Sequence, residues 1–185
     1  IPMLYCNTVG SQTEIVFDGG SLVYDNYGDK VKEMKYFEED EYLADLDFSK
    51  NHASAGQTFP ELFDNEMRVS KISDPEQIIG YLTKEENIAQ IYKALVLGIR
   101  DYFGKLGFTK AILGSSGGID SAVTLALACE ALGRDNVMAV LMPSQYSTGH
   151  SVADAEQLSR NLGNPYEIIP IKPVYDAFLG SLKPV

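Results

Sequence analysis

Three apolar runs set the terms for the second half of this chain: Ala111-Ile112-Leu113, Val137 to Met142, and Tyr166-Glu167-Ile168-Ile169. None shows the sustained apolar/polar alternation of a strand with one wet face. Between them lie segments with helical character, from about Asp120 to Leu132 and from about Val152 to Leu162. Strands of this kind separated by helices read as a parallel sheet covered on both faces. The expected class is α/β with a doubly wound parallel sheet.

The punctuation agrees. Gly133 and Gly163 follow the last apolar positions of the two helices, where a residue closing a helix takes a positive φ. Ser151, three residues before Asp154, is the expected N-cap of the second. The helix after Asp120 is apolar nearly all round, through Ala122, Val123, Leu125, Ala126, Leu127, Ala128, Cys129 and Leu132, and is expected to be central and buried. Upstream, Thr83-Lys84-Glu85-Glu86 has capping-box spacing. Ile88, Ile91, Tyr92, Leu95, Ile99, Tyr102 and Phe103 then fall on one face, which predicts an amphipathic helix of about 15–18 residues.

The amino-terminal part has a different texture. Met3 to Cys6, Glu14 to Phe17 and Ser21 to Tyr24 are short β-forming runs, separated by turn signals at Asp18-Gly19-Gly20 and Asn26-Tyr27-Gly28. These predict antiparallel strands and hairpins. Glu38-Glu39-Asp40-Glu41 opens an acidic stretch that continues through Asp45 and Asp47 towards Gly56, the pattern of a solvated connection between domains. His52 falls within it and has no functional role on this reading.

Composition then removes function classes. With 45% hydrophobic and 22% charged residues the chain has the balance of a soluble globular protein. It holds no run of 18 apolar residues and nothing at its start resembles a signal peptide, so the expectation is a cytoplasmic protein without a membrane partner. A net charge of −11 argues against a nucleic-acid surface. Cys6 and Cys129 have no CxxC or Cys/His cluster beside them, so both are expected to be small buried hydrophobes.

The chemistry concentrates where the first parallel run ends. Gly114-Ser115-Ser116-Gly117-Gly118-Ile119-Asp120-Ser121 lies between a strand and a buried helix, at the carboxyl end of the strand, where open α/β sheets bind ligands. Gly117 and Gly118 let backbone N–H groups approach an anion, Ser115, Ser116 and Ser121 add hydroxyl donors, and the helix start adds unpaired N–H groups and a favourable dipole. The dinucleotide pattern GxGxxG is absent, and so is the lysine of GxxxxGK[ST]. Asp120 stands there instead. An acid facing phosphate repels it unless a divalent cation lies between them, which makes Asp120 a candidate Mg²⁺ ligand. Two readings stand for it, a metal ligand or a helix-start residue stabilised by the dipole.

The string Ser116-Gly117-Gly118-Ile119-Asp120-Ser121 resembles the SGGxDS pyrophosphate loop of the N-type ATP pyrophosphatases, which include NAD, GMP and asparagine synthetases and some tRNA-modifying enzymes. The wider pattern narrows this group. Gly114 to Ser121, then Ala131-Leu132-Gly133, Met142 to Ser147 and Asp154-Ala155, is similar to the synthetase portion of the glutamine-dependent NAD synthetase family. Asn7-Thr8-Val9-Gly10 and Val16 to Ser21 are similar to the end of the nitrilase-like glutaminase domain of that family.

The resemblance implies an adenine nucleotide alpha hydrolase-like, Rossmann-like sheet preceded by antiparallel strands from a nitrilase-like α+β domain. It divides the chain into residues 1–48, the end of the glutaminase domain; 49–82, a linker; and 83–185, the start of the synthetase domain. It implies Gly114, Ser115, Ser116, Gly117, Gly118, Ile119, Asp120 and Ser121 as the ATP loop, with Asp120 as magnesium ligand; the family varies at the position of Ser115. The reaction it implies is ATP-dependent amidation of deamido-NAD to NAD through an acyl adenylate, with ammonia from glutamine. Another adenylating enzyme of the superfamily, GMP synthetase-like or tRNA-modifying, or a nucleotide-binding module without turnover, is the alternative. The glutaminase cysteine, glutamate and lysine of the family are not in this chain, so no catalytic residue is assigned, and Cys6 is not that nucleophile. Three parallel strands leave apolar edges uncovered, and the expectation is a fragment of a longer enzyme that forms homo-oligomers. Met142 to His150 is expected to border the nucleotide, with Tyr146 either stacked on a base or packed, and His150 a loop residue beside a helix cap.

Overall fold

The computed structural model describes residues 1–46 and 75–182. Asp47, His52 and the rest of the segment to residue 74 lie outside the described residues. The chain divides into two compact units, one holding the antiparallel strands and the other the parallel sheet.

In the first unit β1 (Met3–Tyr5), β4 (Leu22–Tyr24) and β5 (Lys30–Glu33) form an antiparallel sheet in the order β1-β4-β5, and β2 (Val9–Gln12) pairs with β3 (Ile15–Asp18). Asn7 ties these strands. Its side-chain amide donates to Asp18 Oδ1 at 2.8 Å and to the Gly19 carbonyl at 2.7 Å, and its backbone N–H donates to Ser21 Oγ at 2.9 Å. Gly20, at φ +62°, faces the Tyr36 ring, and a Cβ there would lie 2.3 Å from Tyr36 Cε1. The turn after β4 is held by Asp25, whose carboxylate accepts from the N–H groups of Tyr27 and Asp29. Cys6 departs from expectation: it is exposed. It follows β1, an edge strand of three residues whose Met3, Leu4 and Tyr5 are themselves at least half exposed, so no layer covers it.

The segment read as a linker ends in structure. Residues Pro75–Leu82 form α1. The Thr83 hydroxyl donates to the Ile79 carbonyl at 2.8 Å, closing α1 rather than capping the next helix. α2 (Glu85–Leu106) is 22 residues long, beyond the predicted 15–18, and stops at Gly107, whose φ is +72°. Its buried position is Val96, with Ile99 and Phe103 partly buried on the same face, whereas Ile88, Ile91, Tyr92, Leu95 and Tyr102 are exposed. The apolar stripe is therefore wider than the surface that covers it.

The parallel sheet contains β6 (Ala111–Gly114), β7 (Val137–Leu141) and β8 (Tyr166–Ile168), in register with Ala111 opposite Val137 and Ala139 opposite Tyr166. α3 (Ile119–Leu132) and α4 (Gly149–Leu162) are the two crossovers, and α5 (Lys172–Ser181) follows β8. The order β6-β7-β8 adds each strand on the same side. Right-handed crossovers then place α3 and α4 on one face. Their packing confirms it: Leu125, Ala128 and Cys129 of α3 meet Val137, Ala139 and Leu141 of β7 and Ala155 of α4 in one buried cluster. The reversal of winding that a doubly wound sheet needs is not found among the described strands. On the other face Ile112 is 76% exposed.

Two further expectations change here. α3 is not buried all round, because Ile119 and Val123 are exposed on its outer side. α4 begins two residues before Ser151, and its N-cap is Thr148, whose side chain accepts from Ser151 N. Ser151 is instead the third residue of the helix. Gly163 closes α4 in the left-handed region, and Gly133 follows α3 with φ +85°.

Leu125 is fully buried and Val123 is 49% exposed on the same helix. Leu125→Ala is expected to cost about 2–5 kcal/mol and Val123→Ala under about 1 kcal/mol. Urea unfolding midpoints of the two variants measure the contrast, and equal losses would mean that α3 is not seated as described.

Candidate functional site

The loop grows out of the sheet. Ser115 N donates to the Val140 carbonyl at 2.9 Å, so the ladder between β6 and β7 runs one residue past Gly114 before the chain turns. Gly117 makes the turn at φ +81°. No other residue type fits there: a Cβ on Gly117 would lie 2.1 Å from the backbone oxygen of Ser151, in the first turn of α4. The loop backbone is thus laid directly against the start of a neighbouring helix.

α3 begins without help from a side chain. Its N-cap is Gly118, in extended conformation and making no side-chain cap hydrogen bond. The first amides of an α-helix have no intrahelical acceptor, so a glycine cap leaves them to solvent or to an anion. Around this opening the serines hold one another. Ser121 Oγ donates to the Gly118 carbonyl at 2.9 Å, accepts from Ser116 N at 3.2 Å and lies 3.1 Å from Ser116 Oγ; Gly118 N donates to Ser116 Oγ at 3.2 Å. Two side chains therefore fix the backbone of the loop before any ligand arrives.

The structure places all eight predicted residues in one turn of chain: Gly114 ends β6, Ser115 to Gly118 form the loop, and Ile119, Asp120 and Ser121 begin α3. Ile119 is 74% exposed and offers the site its backbone N–H. Asp120 is exposed, its backbone carbonyl accepting from Thr124 Oγ1 at 2.8 Å. No group of three or more His, Cys, Asp or Glu side chains draws together among the described residues. Asp120 therefore belongs to no such cluster.

The opposite side is the end of β7. Ser115, Ser116, Pro143, Ser147, Ser151 and Val152 line a cleft of about 110 Å³, into which no lysine, arginine or histidine reaches. Sites for whole small molecules run to about 300–1,000 Å³, so this cleft has the size for one group of a ligand. The segment Ser144 to Ser147 is a tight turn in which Ser144 N donates to Ser147 Oγ at 3.0 Å and Tyr146 N to Ser144 Oγ at 3.1 Å.

Tyr146 packs edge-to-face on Tyr175 of α5 with ring centroids 6.1 Å apart, and the two hydroxyls lie 3.1 Å apart. That hydrogen bond holds the Tyr146 phenol below its ordinary value and pushes Tyr175 above. His150 is exposed in the first turn of α4. Cys129 is buried, which raises its thiol and keeps it out of chemistry.

Ser147 lies within Met142 to His150, the segment expected to border the nucleotide, whereas sequence reasoning missed Ser151 as a site-lining group and Tyr175 as the partner of Tyr146. The position of Ser151 after a parallel strand was a usable signal for the first, but nothing in the sequence pairs residues 146 and 175. A larger cavity of about 500 Å³ lies within the antiparallel unit, lined in part by Tyr5, Cys6, Lys35 and the carboxylates of Glu38 to Glu41. Its acid-rich wall is the wrong sign for a phosphate.

Known proteins resemble this chain along its whole length. A family model described as NAD synthase matches residues 91–184, which include the whole loop and cleft. The chain is 39% identical over 196 residues to the glutamine-dependent NAD(+) synthetase of Thermotoga maritima, covering all of this chain and 34% of that protein. It is 41% identical over 193 residues to the glutamine-dependent NAD(+) synthetase of Aquifex aeolicus, covering 97% of this chain and 33% of that protein. The structure of glutamine-dependent NAD+ synthetase from Acinetobacter baumannii in complex with ADP matches with a TM-score of 0.75 at 34% identity, over 98% of this chain and 30% of that one. The chain thus spans about a third of the length of the curated relatives it matches. The NAD synthase model matches residues 91–184, more than half of the chain, and this chain is therefore a member of the NAD synthase family.

Proposed function

We propose that this chain supplies the ATP-binding loop of an enzyme that amidates deamido-NAD to NAD. ATP adenylates the nicotinate carboxylate and pyrophosphate leaves; ammonia, released from glutamine elsewhere in the enzyme, then displaces AMP. The observation that carries this reading is the start of α3, capped by no side chain and preceded by a loop whose serines are fixed by one another. Donors held in place before reaction stabilise charge developing on a leaving group without reorganising. The backbone N–H groups of Ile119 and Asp120 fill that role, held in place by the hydroxyls of Ser116 and Ser121. The relative from Acinetobacter baumannii was solved with ADP, which supports a nucleotide at this fold.

The donor set fits a magnesium ion carried by the nucleotide. Mg²⁺ uses one or two carboxylates together with substrate phosphates and waters, and Asp120 is one exposed carboxylate at the mouth of a phosphate loop. When bound, the ion neutralises charge on the phosphates. Asp120 orients it.

On this reading residues 1–48 close a nitrilase-like glutaminase domain, 49–82 connect it and 83–185 open the synthetase domain. The full alignment of glutamine-dependent relatives across this chain supports that order, as does the start of the NAD synthase match at residue 91. Homo-oligomer formation is the companion expectation.

The reading is tested on the full-length enzyme with ATP, Mg²⁺, deamido-NAD and ammonia: NAD and pyrophosphate are expected in equal amounts, and absence of pyrophosphate would overturn it. In the same assay Asp120→Asn is expected to lower turnover at limiting magnesium about 10–100-fold, the range for losing a charge-assisted interaction. Because Asp120 is exposed, its unfolding midpoint should stay at wild type; wild-type turnover across a magnesium titration would remove its metal role. Gly117→Ala should cost about 1–3 kcal/mol from backbone strain and abolish ATP use through the collision with Ser151. A variant with unchanged ATP KM would show that the loop is not seated on α4.

A further inference from the structure

We propose that the first turn of α4 is the second wall of the phosphate site, and that the cleft between it and the Gly114–Ser121 loop holds one phosphoryl group through the hydroxyls of Ser147 and Ser151. The proposal rests on the ATP reading above and extends it to residues on a different strand-to-helix connection. Its starting point is geometric. Gly117 brings the loop into backbone contact with Ser151, and Ser115 and Ser116 of the loop face Ser151 and Val152 of α4 across one cleft. The start of α4 carries partial positive charge and has no acidic residue in its first turn.

One helix start alone would not make a site. The observation that points to a ligand is Ser115. It is 5% exposed, it lines this cleft, and its Oγ is buried with no hydrogen-bond partner. Buried hydroxyls are nearly always paired, so an orphan beside a binding loop marks a partner that arrives later. The other orphan atoms among the described residues, Ser159 Oγ and Asn164 Oδ1, lie on the last turn of α4 and just beyond it.

The remaining hydroxyls have protons to give. Ser147 Oγ accepts from Ser144 N, and its other neighbour, Ser144 Oγ, stands at 3.4 Å, too far to hold its proton firmly. Thr148 Oγ1 accepts from Ser151 N and lies 2.8 Å from Ser151 Oγ. When Thr148 donates across that contact, the Ser151 proton is free to point into the cleft. Ser116 adds one further hydroxyl, and the rest of the lining, Leu141, Met142, Pro143 and Val152, is apolar. A site of neutral donors suits a phosphoryl group whose charge a cation already offsets.

The test is calorimetric titration of the full-length enzyme with inorganic pyrophosphate and Mg²⁺, beside steady-state kinetics. Ser147→Ala and Ser151→Ala are each expected to raise the pyrophosphate Kd and the ATP KM about tenfold, with the deamido-NAD KM unchanged. Ser151→Thr, which keeps the hydroxyl, is expected to restore wild-type affinity. If the wild type releases pyrophosphate from ATP while both alanine variants bind it within twofold of wild type, the second wall is wrong and the ATP reading stands. A loss in Ser151→Ala that Ser151→Thr does not restore would also overturn the wall, since the effect would then be structural. Failure of the wild type to release pyrophosphate overturns both.

Discussion

Everything at this site depends on an atom that is not there. The missing Cβ of Gly117 allows the loop to lie on the backbone of Ser151, where any side chain would collide at 2.1 Å. That contact fixes the distance between the ends of β6 and β7 and sets the start of α3 beside the start of α4. It is a contact between backbones, so it is rigid in a way that contacts between side chains are not. The loop geometry then follows from a short chain of consequences. Ser115 extends the β ladder by one bond to Val140, Gly117 reverses the chain with a positive φ, and Ser116 and Ser121 pin what remains.

The rigidity is paid for away from the loop. β7 is the middle strand, and its Val137, Ala139 and Leu141 are essentially inaccessible. They hold α3 and α4 on one face of the sheet, with the loop that leads into α3 and the first turn of α4 lining the cleft. The apolar cluster is therefore what keeps the serines in place, although no member of it approaches a ligand. By contrast the outer side of α3, Ile112 on the reverse of β6 and the apolar strip of α2 are exposed. Stability in this unit is concentrated in one layer, and the site sits at the carboxyl end of that layer.

What could be read in the sequence divides along a physical line. The parallel strands were legible because apolar runs without alternation, bounded by glycines, have few alternatives. The loop was legible because Gly-Gly between a strand and an apolar helix leaves the backbone donors bare. The caps were harder. Thr83 and Ser151 both match local cap patterns, but a hydroxyl takes whichever acceptor or donor is nearer: Thr83 closes the preceding α1, and Thr148 captures Ser151 N instead. Burial was hardest, because it depends on neighbours that sequence spacing does not supply. Cys6 shows this just past an edge strand and Val123 on α3, each apolar and each exposed. The pairing of Tyr146 with Tyr175 has no local signature, since it joins a loop to a helix one strand further on.

The absence of a lysine from the loop says more than any single donor present. The chain is acidic by 11 charges, and at physiological ionic strength exposed charges farther than about 8 Å from the site are screened. The site must therefore be made hospitable to phosphate locally. It does so with backbone N–H groups and hydroxyls, which orient and donate but carry no full charge. A bare carboxylate at Asp120, about 4 Å from a phosphate oxygen, would oppose it by about 4 kcal/mol for each unit charge at an effective dielectric of 20. Neutral donors contribute about 1 kcal/mol each, or somewhat more towards a charged acceptor. On the function proposed above, the loop would therefore select a triphosphate that arrives with a divalent cation, and Asp120 would be the point of that selection.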